Sequence, residues 1–256
     1  MKQGIFITGA SSGIGEALAV YYAGKGAVLG LAARRADALT ALSERLGGGH
    51  ACYPLDVTDA AALHDAAQDF IARFGAPEIV LASAGVSAGT LTEHAEDLAA
   101  FRRLMDINVY GMAATFAPFI PAMKAAGGFR RLVGLASVAG IRGLPGAEAY
   151  SASKAATIAY LESLRLEMRA CGIKVVTIAP GYIETPMTAV NPYRMPFLLP
   201  AEEAARRFAA AIETGNSYTV IPWQMGVLAK LLRVLPNAVY DRLFAGAPRK
   251  PRGLLK

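Results

Sequence analysis

Short apolar runs alternate along this chain with longer segments in which apolar residues recur every three to four positions. The short runs are typical of strands buried on both faces, and the longer segments are typical of amphipathic helices. The predicted strands are residues 4–8, 27–33, 51–55, 78–82, 131–136, 173–179 and 218–221. The predicted helices are 13–25, 37–46, 59–74, 148–170 and 201–213, with a long helical region, 96–126, that we expect to break near Gly111 and Pro118.

This alternation predicts an α/β fold, a doubly wound parallel sheet with helices on both faces. Asp37 and Asp59 stand at the start of helical segments, and we expect each to cap its helix. No internal repeat, low-complexity block or polar linker interrupts residues 1–222, so we assign them to a single domain. Residues 223–256 then form a C-terminal amphipathic helical extension.

Composition narrows the class of protein. Of the 256 residues, 54% are hydrophobic and 18% are charged, which is typical of a deeply buried core and not of a disordered or coiled-coil protein. Two cysteines and three histidines lack metal-ligand spacing and a disulfide framework, so we expect a reducing cytoplasm and no metal site. The N-terminus leaves no room for a signal peptide, and no apolar run reaches the roughly 18 residues of a spanning helix.

A glycine-rich loop, residues 8–15 (TGASSGIG), lies between the first predicted strand and the first predicted helix. Glycine permits a tight turn and close backbone approach to a pyrophosphate, and the helix N-terminus supplies free N–H groups and a positive dipole. The sequence therefore predicts a dinucleotide site rather than a merely flexible loop. The expected cofactor-binding residues here are Gly9, Ser11, Ser12, Gly13, Ile14 and Gly15.

Tyr150 and Lys154 are four residues apart at the start of a predicted helix, so their side chains share one face. An ammonium near a phenol favours the phenolate, and we expect it to lower the pKa of Tyr150 toward neutral pH. The alternative is a half-buried tyrosine packed on a lysine stem. The spacing alone does not decide between these interpretations, and the rest of the chain has to do so.

The glycine spacing, the Tyr150–Lys154 pair and Ser137, thirteen residues before the tyrosine, resemble the short-chain dehydrogenase/reductase family from residue 4 to about residue 222. The resemblance implies a Rossmann-like fold, a nicotinamide cofactor and reduction of a carbonyl to an alcohol, or the reverse. In these proteins the residues matching Tyr150 and Ser137 donate the proton and hold the carbonyl oxygen. Lys154 is implied to bind the nicotinamide ribose, and Asn108 to kink a helix and hold a water that links Lys154 to solvent.

The end of the second predicted strand indicates which cofactor is used. NAD-using members have an acidic residue there, whereas this chain has Ala33 followed by Arg34 and Arg35. A guanidinium binds a 2′-phosphate that a carboxylate would repel, so NADP(H) is favoured over NAD(H). Arg34 is our choice for the phosphate, with Ser11 or Arg35 as helpers; the alternative is two solvated arginines before a helix.

Further cofactor contacts are implied by position in the family pattern. They are Asp56 and Val57 at the adenine, Ala84 and Gly85 near the ribose, and Pro180, Gly181, Ile183 and Thr185 over the nicotinamide. Residues 82–85 (ASAG) depart from the usual Asn-Asn-Ala-Gly. The amide hydrogen bonds expected in that loop must therefore be made by Ser83 or be lost.

Residues 186–213 match the family's lid over the substrate. Within residues 187–200 the apolar side chains are Met187, Tyr193, Met195, Phe197, Leu198 and Leu199. They indicate a lipophilic carbonyl or alcohol substrate, with the alternative, weighted equally, of a lid packed on the core.

The C-terminal extension carries the whole net charge of +6: seven basic residues against one acid, which leaves 26 − 7 = 19 basic and 20 − 1 = 19 acidic residues before it. Its apolar helical face, divided at Pro236, could meet an anionic inner membrane surface, its own domain or a partner subunit. Nucleic-acid binding is disfavoured because the charges share a strongly apolar helix. A homodimer or homotetramer through helices 96–126 and 148–170 is common in the family.

The alternative function is a catalytically silent dinucleotide-binding sensor or scaffold of the same fold. We expect such a protein to lose the serine, the tyrosine or the lysine, and this chain keeps all three.

Overall fold

The computed structural model describes residues 3–254, and its centre is a parallel sheet of seven strands. The strands lie in the order β3-β2-β1-β4-β5-β6-β7. Their bounds are β1 Gly4–Thr8, β2 Val28–Ala33, β3 Ala51–Pro54, β4 Ile79–Ala82, β5 Arg131–Leu135, β6 Lys174–Pro180 and β7 Tyr218–Ile221. The order reverses between β1 and β4, so the carboxyl ends of these two strands open a crevice of the kind that binds ligands in doubly wound folds.

The helices follow the strands along the chain. They are α1 Gly13–Gly24, α2 Ala36–Arg45, α3 Ala60–Phe74, α4 Asp97–Met105, α5 Gly111–Phe116, α6 Ile120–Ala126, α7 Glu148–Met168, α8 Pro186–Ala189, α9 Ala201–Thr214, α10 Trp223–Val234 and α11 Asn237–Phe244. The predicted doubly wound α/β fold is confirmed. The predicted element bounds agree with the structure to within one or two residues, apart from the long region 96–126.

Two details of the helices differ from expectation. α2 begins at Ala36 and is preceded by Arg35, so Asp37 is not its cap. The Asp37 carboxylate lies instead in the first turn of α2, at the positive end of the helix dipole. Near Gly111 the helix does not break: residues Asp106–Tyr110 form one wider, π-helical turn between α4 and α5. The break near Pro118 is confirmed, and so is the cap at Asp59, which accepts the Ala62 N–H at 3.0 Å.

The sheet is buried on both faces by two apolar clusters. Helices α1, α2 and α9 cover one face, where Leu18, Leu39 and Phe208 are fully buried. Helices α3, α5 and α7 cover the other, where Phe70 and Phe116 pack with the strands. Removing this apolar surface from water is the main stabilising term, and it holds the carboxyl edge of the sheet rigid.

The C-terminal extension packs against its own domain through one face. The Arg142 guanidinium donates to the Leu235 carbonyl at 2.8 Å and to the Asn237 side chain at 3.1 Å. The Tyr240 hydroxyl donates to the Gly143 carbonyl at 2.6 Å. The opposite face stays exposed, and its apolar members include Trp223, Val227, Leu231, Val234 and Leu243. Within residues 3–254, no helix has the length and apolar character needed to cross a membrane.

Candidate active site

The glycine loop lies tightly against the ends of β1 and β4. Gly9 has a φ of 70°, and a Cβ there would lie 2.8 Å from the Ala84 Cα. At Gly15 a Cβ would lie 2.3 Å from the Gly9 carbonyl oxygen. Only glycine fits such contacts, so backbone rather than side chains forms the wall of the crevice at the start of α1.

A cavity of about 300 Å³ runs along this loop. It brings together most of the residues predicted to bind the cofactor: Gly9, Ser11, Ser12, Gly13, Ile14, Gly15, Arg34, Arg35, Asp56, Val57, Ala84, Gly85 and Thr185. The first-turn N–H groups of α1 have no partner within their helix and suit a pyrophosphate. The residues present therefore fit a dinucleotide.

Two arginines stand at the adenosine end of this cavity. The Arg35 guanidinium donates to the Ser11 carbonyl at 3.0 Å and lies 3.4 Å from the Ser11 hydroxyl. Arg34 is exposed, and its charge reaches Asp56. The two arginines thus stand beside the glycine loop at the end of β2.

Asp56 is held as an anion beside the cavity. Its Oδ1 accepts the Thr58 N–H at 3.0 Å and the Thr58 hydroxyl at 2.8 Å. Partial burial raises the pKa of Asp56, but the hydrogen bonds from Thr58 and the charges of Arg34 and Arg103 outweigh it, and the net pKa is lowered. Its Oδ2 lies 3.9 Å from Arg103 Nη2, and α3 is capped by Asp59 rather than by Asp56.

The loop after β4 is fastened in a way that the sequence did not indicate. The Asn108 side chain makes two hydrogen bonds with the Val86 backbone: its Oδ1 accepts the Val86 N–H at 2.9 Å, and its Nδ2 donates to the Val86 carbonyl at 3.0 Å. The Ala84 N–H donates to the Thr8 hydroxyl at 3.4 Å. We expected the family's amide bonds to be made by Ser83 or to be lost; the side-chain contacts that hold this loop come from Asn108 and Thr8, which lie outside it.

Asn108 lies in the π-helical turn and is 1% exposed. Its Nδ2 also donates to the Ser153 hydroxyl at 3.0 Å, and the Thr157 hydroxyl lies 3.3 Å from its carbonyl oxygen. The helix irregularity expected at this residue is present. The asparagine side chain itself joins the cofactor loop to α7, one residue away from Lys154.

Ser137, Tyr150 and Lys154 meet at the carboxyl end of β5. The Ser137 hydroxyl accepts the Ala139 N–H at 3.2 Å and lies close enough to the Tyr150 hydroxyl to lower its pKa. Lys154 Nζ donates to the Leu135 carbonyl at 2.8 Å and lies 6.0 Å from the centre of the Tyr150 ring. The serine and the lysine are buried and Tyr150 is half-buried, so the three groups form one cluster with little exposure to water.

The electrostatics of this cluster differ from expectation. Burial raises the pKa of Tyr150, and the hydrogen bond with Ser137 opposes that rise only in part. Burial also lowers the pKa of Lys154 to about 8, because no carboxylate compensates its charge. The expected lowering of the Tyr150 pKa by Lys154 is therefore wrong for this structure, in which desolvation is the dominant effect.

This cluster lies between two larger cavities. A cavity of about 100 Å³ at its centre is lined by Ser137, Tyr150 and Lys154, and also by Ile14, Gly85, Pro180, Gly181, Ile183 and Thr185. It adjoins the dinucleotide cavity at Ile14, Gly85 and Thr185. Thr185 begins α8, where its N–H donates to the Thr188 hydroxyl at 3.1 Å.

A third cavity, of about 230 Å³, lies beyond Tyr150 and Ser137. Its walls are largely apolar or aromatic and include Val138, Leu144, Pro145, Tyr182, Met187, Tyr193 and Phe244. The rings of Tyr182 and Tyr193 meet edge to face with centres 6.4 Å apart. The arrangement can present a small molecule to the Tyr150 hydroxyl and exclude water around it.

The lid contributes less apolar surface to this cavity than we expected. Of its six apolar residues named above, only Met187 and Tyr193 line the cavity. Phe197 and Leu198 are exposed, and Leu199 packs against the core beside α9. Met187 and Tyr193 thus face the cavity, as a lid over a lipophilic substrate would require, whereas Leu199 packs on the core, as the equally weighted alternative predicts.

The remaining wall comes from the C-terminal extension, which sequence reasoning missed as part of the site. Phe244, Ala247, Pro248 and Lys250 all line the third cavity. The extension is fixed there by Arg252, whose Nε lies 2.7 Å from Asp97 Oδ2. No local pattern in residues 223–256 marks these contacts, because Arg252 meets Asp97 across 155 residues of chain.

Comparisons with known proteins agree with this geometry. Residues 3–194 match the family model for short chain dehydrogenases. An uncharacterised oxidoreductase of Myxococcus xanthus is 38% identical over 240 residues, which cover 92% of this chain and 93% of the relative. An 11-beta-hydroxysteroid dehydrogenase-like protein of Arabidopsis thaliana is 33% identical over 247 residues, covering 93% of this chain and 79% of the relative.

A solved structure supports the same relationship. The crystal structure of a short chain dehydrogenase from Burkholderia cenocepacia in complex with NADP superimposes with a TM-score of 0.82 and is 25% identical in sequence. The match covers 94% of this chain and 97% of that one.

Proposed function

The chain belongs to the short-chain dehydrogenase/reductase family and is an NAD(P)-dependent oxidoreductase, and on that premise we propose that it reduces a carbonyl to an alcohol, or the reverse, with NADP(H) on a lipophilic substrate. One observation carries the proposal. Ser137, Tyr150 and Lys154 converge on the small cavity that joins the dinucleotide cavity to the substrate cavity.

The cofactor, when bound, supplies or accepts the hydride at C4 of its nicotinamide ring. Tyr150 donates the proton that the reduced oxygen needs, and its raised pKa keeps the phenol protonated at neutral pH, which is the donating form. The Ser137 hydroxyl holds the carbonyl oxygen as negative charge develops on it. Lys154 binds the nicotinamide ribose, and Asn108 positions the loop beside it.

The cofactor preference rests on the two arginines at the end of β2. Arg34 is exposed to a 2′-phosphate and has no acidic neighbour on β2, and Arg35 is positioned by Ser11. Charge-assisted bonds from a guanidinium to a phosphate are strong and are absent for NAD(H). The NADP in the Burkholderia cenocepacia structure supports the same choice.

The apolar and aromatic walls of the substrate cavity support a lipophilic ketone, aldehyde or alcohol. The hydroxysteroid dehydrogenase-like relative supports the same class. The alternative, a silent dinucleotide-binding scaffold, leaves the buried Ser137–Tyr150–Lys154 cluster without a purpose, and such buried polar clusters are costly to keep.

The test is Tyr150→Phe, with Tyr160→Phe on the same helix as the matched control. The first variant should lose turnover by about 100-fold or more, the usual scale for a general acid, and should bind NADPH as the wild type does. The control should behave as the wild type in both assays. Substantial turnover by Tyr150→Phe in an NADPH-oxidation screen over ketones of increasing length, with NADH beside it, would refute the role.

We also infer a homodimer or homotetramer through α4 and α7. Leu98 and Phe101 on α4 and Leu166 on α7 are large exposed apolar residues that a partner subunit would cover. Leu166→Glu should shift the mass measured by light scattering toward the monomer. An unchanged mass would argue for another interface.

For the exposed face of α10 and α11 we propose contact with an anionic membrane surface on its cytoplasmic side. Trp223, Leu231 and Val234 are exposed beside the basic residues Lys230 and Arg233, which is the composition of an interfacial helix. Full-length protein should float with liposomes that contain anionic lipid and not with neutral ones. Failure with both would indicate that a partner subunit covers this face.

A further inference from the structure

The last residues of the described chain form a strap over the substrate cavity, residues 247–252. Gly89 donates its N–H to the Pro251 carbonyl at 2.9 Å. A Cβ on Gly89 would lie 2.1 Å from the Lys250 carbonyl oxygen, and one on Gly146 would lie 2.8 Å from the Arg249 side chain. The strap therefore occupies a groove that is shaped for it by two glycines.

An ion pair fixes the end of the strap. Arg252 Nε lies 2.7 Å from Asp97 Oδ2, and its Nη2 lies 3.0 Å from Glu96 Oε1. Asp97 is 6% exposed, and the same Oδ2 accepts the Leu91 N–H at 2.8 Å. The hydrogen bond from Arg252, followed by the one from Leu91, lowers the pKa of Asp97. A buried carboxylate held by this one guanidinium gives the strap a single defined position.

That position places Lys250 in the wall of the substrate cavity. Its Nζ donates to the Met187 carbonyl on the lid at 3.2 Å, which leaves two of its three donors for another acceptor. Within residues 3–254, Lys250 forms no ion pair, and the residues that line the cavity include Arg194 but no aspartate or glutamate. The cavity thus has two cationic side chains and no anion among the described residues.

An ammonium in this situation is unfavourable without a counter-charge. Burial alone lowers the pKa of Lys250 to about 8, because water is lost and no carboxylate replaces it. The strap nevertheless holds the side chain there through contacts made by its neighbours. A ligand that brought an anionic group to Nζ would compensate the desolvation that the fold imposes.

We propose that Lys250 binds a carboxylate of the substrate, so that the substrate is a keto acid, or the matching hydroxy acid, with an apolar carbon skeleton. This rests on the proposed reaction at Tyr150 and names the substrate class of that same site. The cavity of about 230 Å³ is smaller than the roughly 300 to 1,000 Å³ of drug-sized ligand sites, which suits a short acid better than a polycyclic one.

A purely structural role for Lys250 makes a different prediction. If its ammonium only fastens the strap to the lid through the Met187 carbonyl, removing it should impair charged and neutral substrates equally. If it binds a carboxylate, removal should impair only the charged ones. The ratio of kcat/KM for the charged substrate to that for the neutral one therefore separates the two roles, whereas the activity on either substrate alone does not.

The experiment uses the full chain, NADPH and a series of straight-chain keto acids whose carboxylate is about two to eight carbons from the ketone, each paired with its methyl ester. For at least one acid, the wild-type kcat/KM should be about tenfold higher than for its methyl ester, and the difference should lie in KM. Lys250→Met should bring that ratio close to one and leave the ester within about twofold. Lys230→Met, an exposed lysine on α10, is the matched control and should keep the ratio.

A titration without turnover separates this inference from the proposed reaction. The saturated carboxylic acid of the preferred length is titrated into the wild type and Lys250→Met by calorimetry, with its methyl ester as reference. Loss of about tenfold in affinity for the acid alone supports the assignment, even if no ketone is reduced. An equal affinity of both proteins for the acid, or a wild type that binds the ester as tightly as the acid, overturns it.

Discussion

The cavity along the glycine loop, here the dinucleotide end, and the cavity beyond Tyr150 and Ser137, here the substrate end, have walls of different composition. At the dinucleotide end the wall is backbone, and glycines at positions 9 and 15 bring β1, β4 and α1 into contact closer than a methyl group allows. At the substrate end the wall is mostly side chains, chiefly from residues 137–150, 181–194 and 244–250. One end is formed by closely packed backbone, and the other by side chains from distant parts of the chain.

The two ends are expected to tolerate amino-acid substitution to different extents. A backbone cradle binds the parts that all nicotinamide dinucleotides share, and a small change in it costs folding and binding together. The substrate wall can change one side chain at a time, because lid and strap are held at their ends by Thr185 and by the Arg252–Asp97 pair. Specificity is therefore expected to reside in the lid and the strap.

The largest effect should come from Gly15→Ala. Its new Cβ would lie 2.3 Å from the Gly9 carbonyl oxygen, so the loop has to move, and we expect NADPH binding to weaken by about 100-fold and unfolding free energy to fall by about 2 kcal/mol. Gly24→Ala on the same helix meets no atom within 4 Å and should instead stabilise by roughly 0.5 kcal/mol. Calorimetric titration and urea unfolding of both variants measure this, and equal behaviour would contradict the backbone cradle.

Arg34→Asp tests a side chain of the dinucleotide end. A carboxylate at the end of β2 should repel the 2′-phosphate and accept ribose hydroxyls, so the ratio of NADPH to NADH in kcat/KM should fall by about 100-fold. Arg45→Asp is the control: Arg45 pairs with Glu16 on α1, away from the lined cavity. An unchanged cofactor ratio in Arg34→Asp would leave Arg35 or Ser11 as the determinant.

The contrast between the two ends also explains what the sequence could predict. The glycine loop, Ser137, Tyr150 and Lys154 were identified because each acts within a few residues of a strand end or along one helical turn. Such spacing is visible in a linear chain. The direction of the Tyr150 pKa shift was not, because it depends first on how far the folded chain buries the phenol, and to a lesser extent on Tyr182.

The strap and the Asn108 clamp could not be predicted for the same reason. Asn108 reaches Val86 across 22 residues, and Arg252 reaches Asp97 across 155. Neither partner carries a local pattern, and the wide turn at Asp106–Tyr110 that aims Asn108 is not encoded by glycine or proline spacing alone. The C-terminal extension was recognised as amphipathic, but its face toward Arg142 and Tyr240 depends on the rest of the fold.

Gly89→Ala should affect the substrate end and spare the dinucleotide end. Its Cβ would lie 2.1 Å from the Lys250 carbonyl oxygen, so the strap is displaced and KM for the substrate should rise by about tenfold. The NADPH dissociation constant should stay within about twofold, because the dinucleotide cavity is not lined by the strap. Gly143→Ala, with no atom within 4 Å, is the control and should change neither value. A parallel loss of NADPH affinity in Gly89→Ala would show that the two ends are coupled.

The smallest effect concerns Lys154, which stands between the two ends. Its folded pKa of about 8 lies below its ordinary 10.5, so between these values the unfolded chain binds more protons and stability rises with pH. Burial of the charged ammonium lowers the unfolding free energy; this loss is fully present below about pH 8 and disappears as pH rises through 10.5. In Lys154→Met that dependence is absent.

From pH 7.5 to pH 9 the unfolding free energy of the wild type, measured by urea unfolding, should therefore rise by about 1 kcal/mol relative to that of Lys154→Met. Lys230→Met, which removes an exposed lysine, should follow the wild type. If the wild type and Lys154→Met instead change in parallel, a counter-charge reaches Lys154 within the folded protein.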